Sequence, residues 1–151
     1  MDYQRIIFDV KGTLAILTLN HPERLNAISP KMIDEIKMAL GRLEESDNGI
    51  RCLLITGAGR GCCSGANLSN SGKEESSQKS GGSMDDSYNP IFLRLRDLAM
   101  PIVTAVNGPA AGIGMSLALM GDMVLSAQSA FFLQAFRRIG LIPDGGATYI
   151  L

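Results

Sequence analysis

Residues 52–68 read CLLITGAGRGCCSGANL, and residues 101–120 read PIVTAVNGPAAGIGMSLALM. Each stretch begins with a short apolar run, which is typical of a buried strand, and continues into a loop rich in glycine and alanine. The second stretch then continues into an apolar segment that predicts a buried helix. The sequence therefore predicts two units in which a strand is followed by a glycine-rich loop. The alternation of strands and helices along the chain predicts an α/β fold with parallel pairing.

The remaining elements fit the same alternation. IIFDV (6–10) and LAILTL (14–19) flank a Lys-Gly-Thr turn and predict a β-hairpin. Ser29-Pro30 predicts a helix start, because serine is a common N-cap and proline is favoured at the first helical position. The apolar face predicted for this helix is formed by Met32, Ile33, Ile36, Ala39, Leu40 and Leu43. Further predictions are a helix at 91–99, strands at 101–106 and 123–127, and a short strand from Phe131 and Phe132. We expect core positions for Met115, Met120 and Met123, and positions in the core or in a pocket wall for Phe131, Phe132 and Phe136.

The composition excludes several classes of function. The 151 residues suffice for one domain, predicted to span 1–151, and the formal net charge of −1 indicates neither a nucleic-acid partner nor an anionic membrane surface. No apolar run reaches the length of a membrane span. Three cysteines, two of them adjacent, favour a reducing compartment, which we expect to be the cytoplasm. The single histidine and the lack of zinc-type spacing predict no metal site.

Two segments have their own interpretation. Residues 69–87 are rich in serine, glycine and charged residues, and we expect a flexible loop over 69–89 that acts as a flap or lid. The chain stops at Thr148-Tyr149-Ile150-Leu151, where a helix is predicted to begin. We therefore expect that the C-terminal part of a longer protein is missing.

The loop at 57–68 has two interpretations that use its side chains or its glycine spacing. A dinucleotide-binding loop needs Gly-x-Gly-x-x-Gly, but Cys62 stands where the third glycine is required. A nucleophile elbow would make Cys63 the nucleophile and would leave His21 as the only histidine available as its base. The alternative for both cysteines is that they fill a packed turn.

A third interpretation uses the backbone of both glycine-rich loops. The small residues of Ser64-Gly65-Ala66 and of Ala111-Gly112-Ile113-Gly114 allow a ligand to approach the main chain closely. Two N–H groups from adjacent loops can hold one oxygen atom. That arrangement is an oxyanion hole, suited to a thioester or ester carbonyl that becomes an enolate.

Taken in this order and at these spacings, the motifs resemble those of the crotonase, or enoyl-CoA hydratase/isomerase, superfamily over essentially the whole chain. The resembling stretches are IIFDVKGTLAILTLNHPERLNAIS, CLLITGAGRGCCSGANL, PIVTAVNGPAAGIGMSLALMGDMVLSA and FFLQAFRRIGLIPDGGAT. The resemblance implies an α/β spiral of repeated ββα units and an acyl-CoA thioester substrate. It also implies a homotrimer or hexamer, and no separate cofactor, because CoA is part of the substrate.

The resemblance also implies roles for individual residues. The oxyanion N–H groups are expected on Ala66 and Ile113. Contacts with CoA or the acyl group are expected from Arg24, Asn26, Ala27, Ser64, Gly65, Asn67, Leu68, Gly112, Ser116 and Phe136. At Asn67 the family often has aspartate, so a polar contact is kept and a charge is lost.

This sequence departs from the family at its catalytic acids. The family's hydratases resemble one another in carrying two glutamates, and those positions hold Ser116 and Phe136 here. A phenylalanine cannot position water or move its protons, which argues against ordinary hydration. Asp144 is the best remaining acid, and its surroundings resemble the ring-epoxide isomerases of phenylacetyl-CoA breakdown. The alternative role for an aspartate before two glycines is a helix N-cap.

These observations favour an acyl-CoA isomerase in which one aspartate moves a proton between two carbons of the substrate. Apolar surroundings that include Phe136 are expected to raise the pKa of Asp144 and make it a better base. Four alternatives stay open: a hydratase, a dehalogenase-type enzyme in which Asp144 attacks the substrate, a thiol hydrolase using Cys63, and a non-catalytic CoA-binding subunit.

Overall fold

The structure is a computed structural model that describes residues 2–45, 49–67 and 88–151. Most of the predicted loop at 69–89 lies outside the described residues. Its last two positions, Tyr88 and Asn89, are described, and Asn89 is the first residue of a helix.

The described residues follow the predicted alternation of strands and helices. The strands are β1 (Ile6–Lys11), β2 (Leu14–Leu19), β3 (Cys52–Gly57), β4 (Ile102–Val106), β5 (Ala110–Ala111), β6 (Met123–Ser126) and β7 (Phe132–Leu133). The helices are α1 (Pro30–Glu44), α2 (Asn89–Arg96), α3 (Ile113–Ala118) and α4 (Ala147–Ile150). Short 3₁₀ turns span Pro22–Arg24 and Ala135–Ile139.

The main sheet has the strand order β1-β2-β3-β4-β6. The first two strands pair antiparallel around a tight turn at Gly12, whose φ of +61° is the left-handed conformation that favours glycine, and this confirms the predicted hairpin. From β2 to β6 the pairing is parallel, as predicted. Because the carboxyl ends of parallel strands meet at one edge of a sheet, the loops after β3 and β4 lie side by side.

Helix α1 begins as its sequence predicts. The Ser29 hydroxyl accepts a hydrogen bond of 3.3 Å from the backbone N–H of Met32, and Pro30 is the first helical residue. All six residues of the predicted apolar face are buried and join the core cluster with the inward side chains of β2 and β3. The 3.6-residue period therefore identified the packed face correctly.

The second strand–loop–helix unit is packed through small residues. Strand β5 pairs with β7 beside the main sheet, and α3 follows directly after Gly112. Every residue of α3 is buried, and the Thr104 hydroxyl on β4 donates a 2.6 Å hydrogen bond to the carbonyl of Ala118. The buried helix predicted after the second glycine-rich loop is confirmed.

The expected core position of Met123 is wrong, and of the two positions expected for Phe131 and Phe132 the core is wrong, while a pocket wall stays a prediction. Met123 lies on β6 and is 61% exposed, while Phe131 is 52% and Phe132 is 37% exposed. For Met123 the reason is that β6 is the last strand of the main sheet among the described residues, and an apolar run by itself does not distinguish a central strand from an edge strand. Met115 is buried as expected.

Within the described residues, the helices are all too short or too polar to cross a membrane.

Candidate active site

The loop after β3 is held from inside by Asn26. Its side chain is fully buried, and its amide nitrogen lies within hydrogen-bond distance of the carbonyls of Ala58 (2.9 Å), Gly61 (2.8 Å) and Cys62 (3.2 Å). Its Oδ1 accepts a 2.8 Å bond from the N–H of His21. The expected contact between the Asn26 side chain and CoA therefore needs correction, because this side chain faces the interior and shapes the loop.

The backbone of this loop is then clamped on both sides. On one side, the N–H of Ile28 donates to the carbonyl of Gly65 (2.8 Å) and the N–H of Asn67 donates to the carbonyl of Ile28 (2.9 Å). On the other side, the N–H of Ala111 donates to the carbonyl of Cys63 (2.9 Å). The loop that follows β3 is thus fixed against the loop that precedes α3.

Gly65 marks the closest approach of the two loops. Its φ is +101°, and a Cβ added there would lie 2.9 Å from the carbonyl oxygen of Ala111 and 4.0 Å from the Cα of Gly112. Only glycine fits this position, so the predicted need for small residues is explained by contact between two backbones. The next residue on each loop is a predicted oxyanion donor, Ala66 on one and Ile113 on the other.

The backbone N–H groups of Ala66 and Ile113 find no acceptor within residues 2–45, 49–67 and 88–151. For Ala66 the cause is its parallel bridge to Ile28, because Ile28 makes its two hydrogen bonds to Gly65 and Asn67, the neighbours of Ala66, and the N–H of Ala66 takes part in neither. Ile113 is the first residue of α3, where an N–H has no partner inside the helix. Two unpaired donors therefore lie on neighbouring loops, and the oxyanion hole predicted here would need both of them to point at one oxygen.

Asp144 lies beside α3 with an unpaired carboxylate oxygen. Its Oδ1 is buried and has no hydrogen-bond partner among the described residues, and burial raises the pKa of this carboxyl above its ordinary value. The residue before α4 is Gly146, and no side chain caps that helix. The alternative role of Asp144 as a side-chain N-cap is therefore wrong.

The two positions that hold glutamate in the family's hydratases lie close to this acid and to the second loop. Ser116 is fully buried, and its hydroxyl donates a 3.1 Å bond to the backbone carbonyl of Asp144. The half-buried ring of Phe136 lies 3.7 Å from the position that a Cβ on Gly112 would occupy. The expected contact of the Ser116 side chain with substrate needs correction, because its hydroxyl is already engaged inside the protein.

The other residues expected to contact CoA fall into three groups. Ser64 and Arg24 lie together, with the Ser64 hydroxyl donating to the carbonyl of Arg24 (3.0 Å). Ala27 is buried, whereas Asn67 is only partly buried. Leu68 lies outside the described residues.

The cysteine interpretation of the loop is wrong. Burial raises the pKa of Cys63 to about 12 and that of Cys62 to about 11, so neither thiol ionises near neutral pH. The Cys63 thiol is fully buried and donates to the carbonyl of Asn26 (3.2 Å). His21, the expected base, lies 3.9 Å from Glu23 in the first 3₁₀ turn. Both cysteines fill a packed turn.

No motif in the sequence predicted a role for Tyr88, which directly precedes α2. Burial raises the pKa of its phenol, and the negative charge of Asp144 raises it further. One helical turn further along α2, Phe92 lies 3.2 Å from the position of a Cβ on Gly145. The signal in the sequence was a tyrosine at the start of an amphipathic helix, but helical period alone does not show which loop that helix covers.

Comparison with solved structures defines the class of fold. An enoyl-CoA hydratase from Mycobacterium avium subsp. paratuberculosis K-10 superposes with a TM-score of 0.83 at 32% identity, over 99% of this chain and 55% of that chain. An enoyl-CoA hydratase from Polaromonas sp. JS666 gives a TM-score of 0.83 at 34% identity, over 96% and 56%. These similarities confirm the expected crotonase-like α/β fold.

Comparison of sequences then defines the family. The model of the family described as enoyl-CoA hydratase/isomerase matches residues 9–151, and the chain therefore belongs to this family. It is 45% identical over 148 residues to 1,2-epoxyphenylacetyl-CoA isomerase of Escherichia coli (strain K12), and 39% identical over 151 residues to a probable enoyl-CoA hydratase of Rhodobacter capsulatus. These alignments cover 97% and 100% of this chain but 56% and 57% of the two relatives, so the chain spans about half their length.

Proposed function

We propose that this protein is an acyl-CoA isomerase that shifts a double bond, or isomerises a ring epoxide, with Asp144 as its proton shuttle. The observation that carries the proposal is the half-buried Asp144 carboxyl, whose Oδ1 is buried without a hydrogen-bond partner among the described residues and whose pKa is raised by burial. The 1,2-epoxyphenylacetyl-CoA isomerase similarity supports the same reaction class. Ser116 and Phe136 stand at the positions of the two glutamates of the family's hydratases. Asp144 is then the one acid proposed for this site, whereas those hydratases use two.

One carboxylate is sufficient for the proposed double-bond shift. Asp144 removes a proton from a carbon conjugated to the thioester, and the electron pair of that C–H bond moves towards the thioester oxygen. The N–H groups of Ala66 and Ile113 stabilise the resulting enolate. The protonated Asp144 then returns the proton to a different carbon of the acyl chain. A raised pKa suits this role, because it brings the basicity of the carboxylate closer to that required for proton transfer.

The remaining parts of the proposal concern the complete protein. The CoA portion of the substrate would lie along the exposed side of the first loop, near Arg24, Ser64 and Asn67. A contact from Leu68, which lies outside the described residues, stays a prediction of the family resemblance. CoA would enter as part of the substrate, with no separate cofactor. The domain would be a single unit over 1–151 that assembles as a homotrimer or hexamer in the cytoplasm.

The test is incubation of the full-length protein with 2-enoyl-CoA, 3-enoyl-CoA and epoxyphenylacetyl-CoA, with products identified by mass and ultraviolet spectrum. We expect at least one substrate to be converted to a product of unchanged mass. Asp144→Asn should abolish this conversion, whereas Asp9→Asn, which changes an exposed carboxylate on β1, should leave it unchanged. A product that has gained one water would contradict the proposal.

Hydration is the second candidate, because the relative from Rhodobacter capsulatus and both solved structures described above are named as hydratases. The same incubation separates the two reactions by product mass. A covalent ester on Asp144 in the quenched enzyme would favour the dehalogenase-type reaction. Binding of acyl-CoA without turnover, retained in Asp144→Asn, would favour a non-catalytic CoA-binding subunit.

A further inference from the structure

Ser116 connects the start of α3 to the loop that carries the proposed base. Its fully buried hydroxyl donates to the backbone carbonyl of Asp144 across 28 positions of sequence, at 3.1 Å. We propose that Ser116 is a positioning residue that fixes the Asp144 backbone, and with it the direction of the carboxylate, relative to the oxyanion N–H of Ile113. This inference rests on the proposed function of the site.

The packing around Gly145 supports this role. Gly145 has a φ of +57°, and a Cβ added there would lie 3.1 Å from Ile113 Cγ1 and 3.2 Å from both Phe92 Cζ and Ser116 Cβ. The peptide after Asp144 is therefore held between α2 and α3. Ser116 contributes both a contact surface and the hydrogen bond to this arrangement.

Helix α3 joins the two halves of the proposed chemistry. Ile113 presents its unpaired N–H at the first position of the helix, and Ser116 holds Asp144 three positions later. The Asp144 Oδ1 has no hydrogen-bond partner among the described residues, so the side chain depends on its backbone for direction. The carbonyl of Asp144 also accepts from the N–H of Ala147 (3.1 Å). Within the part of the chain that the structure describes, loss of the serine hydroxyl would leave that carbonyl with this local bond alone.

Proton transfer is sensitive to small displacements of the base. A shift of about 1 Å from the reactive geometry lowers the rate by about 100-fold, and positioning to within about 0.5 Å is required for efficient catalysis. Ser116→Ala removes the anchor without adding volume. We expect kcat to fall about 10- to 100-fold with KM changed less than about twofold, because the substrate-binding surface is unaltered.

Thr104→Val is the matched control. It also removes a buried hydroxyl that donates to a carbonyl, here that of Ala118 at the far end of the same helix. Both variants should therefore lose similar stability in urea, and only Ser116→Ala should lose kcat. The rate at which deuterium from heavy water enters the substrate carbon should fall in parallel with kcat, because both report proton abstraction by Asp144.

A second readout does not depend on activity. Amide hydrogen exchange of residues 145–147 in the full-length protein should be about 10-fold faster in Ser116→Ala than in wild type, and unchanged in Thr104→Val. The inference is overturned if this exchange is unchanged in Ser116→Ala, or if the two variants lose kcat equally. If wild type converts none of the three CoA esters, or Asp144→Asn keeps full activity, the proposed function fails while the exchange result still decides whether Ser116 anchors the loop.

Discussion

Replacement of Asn26 by alanine should destabilise the protein far more than a surface asparagine would. The Asn26 amide has two hydrogens directed at three carbonyls of the loop, and its oxygen accepts from one backbone N–H. The truncation therefore removes about three hydrogen bonds and leaves buried carbonyls and one N–H unsatisfied. The residue also has a φ of +56°, a conformation that asparagine tolerates better than alanine.

The magnitude follows from these contacts. A net loss of about 1 kcal/mol for each hydrogen bond, and about 1 kcal/mol for the left-handed backbone, gives a decrease of about 4 kcal/mol in the free energy of unfolding. Asn26→Asp keeps the shape and the acceptor but turns a carboxylate oxygen towards carbonyl oxygens. Burial and repulsion should raise the pKa of the new carboxyl. The variant should therefore regain stability relative to wild type as pH falls from about 7 to 5, since its protonated form can donate one bond.

Urea unfolding of the full-length protein, followed by circular dichroism, measures these differences. The control is Asn107→Ala, which removes a single exposed bond to the carbonyl of Gly59 in the same loop (2.8 Å) and should cost less than about 1 kcal/mol. If Asn26→Ala costs no more than Asn107→Ala, then Asn26 does not hold the loop from inside and the reasoning is refuted.

Four further predictions follow from the same contacts. Gly114→Ala should unfold at a clearly lower temperature and bind acyl-CoA more weakly, because the added Cβ would meet the carbonyl oxygen of Cys63 and lie 2.6 Å from its sulfur. An unchanged melting temperature would contradict the close packing of the two loops. Glu35→Ala should lower the free energy of unfolding, measured in urea, by about 2–4 kcal/mol, because the buried carboxylate accepts from three successive backbone N–H groups before and at the start of β1. A decrease below about 0.5 kcal/mol would argue against that network. Isomerase kcat/KM should fall as pH is lowered through the raised pKa of Asp144, so the acidic limb of the pH–rate profile should lie above the ordinary aspartate pKa of about 3.9. Because burial favours the protonated acid, Asp144→Asn should be at least as stable as wild type at about pH 7. Iodoacetamide applied to the native protein should not modify Cys62 or Cys63, as measured by peptide mass, and should leave activity intact. Rapid labelling with loss of activity would instead support the thiol hydrolase that uses Cys63.

The elements of the fold were predictable where the signal is local. The cap at Ser29, the apolar face of α1 and the strand before each glycine-rich loop all depend on residues within one or two turns or one strand. The exposure of Met123 was not predictable, because it depends on β6 being the last strand of the main sheet among the described residues. Strand order depends on long-range pairing between strands, and an apolar run in the sequence does not show where its strand lies in the sheet.

The sequence by itself determined which groups are available: two loops of small residues, the uncharged side chains of Ser116 and Phe136, and the carboxylate of Asp144. Only the tertiary structure decided how these residues are used. It buried Asn26 as the support of the first loop and tied Ser116 to the backbone of Asp144. The physical reason is that a motif specifies side chains and backbone flexibility. The direction of an N–H group, the partner of a buried hydroxyl and the burial of a carboxylate depend on segments that meet only when the chain folds.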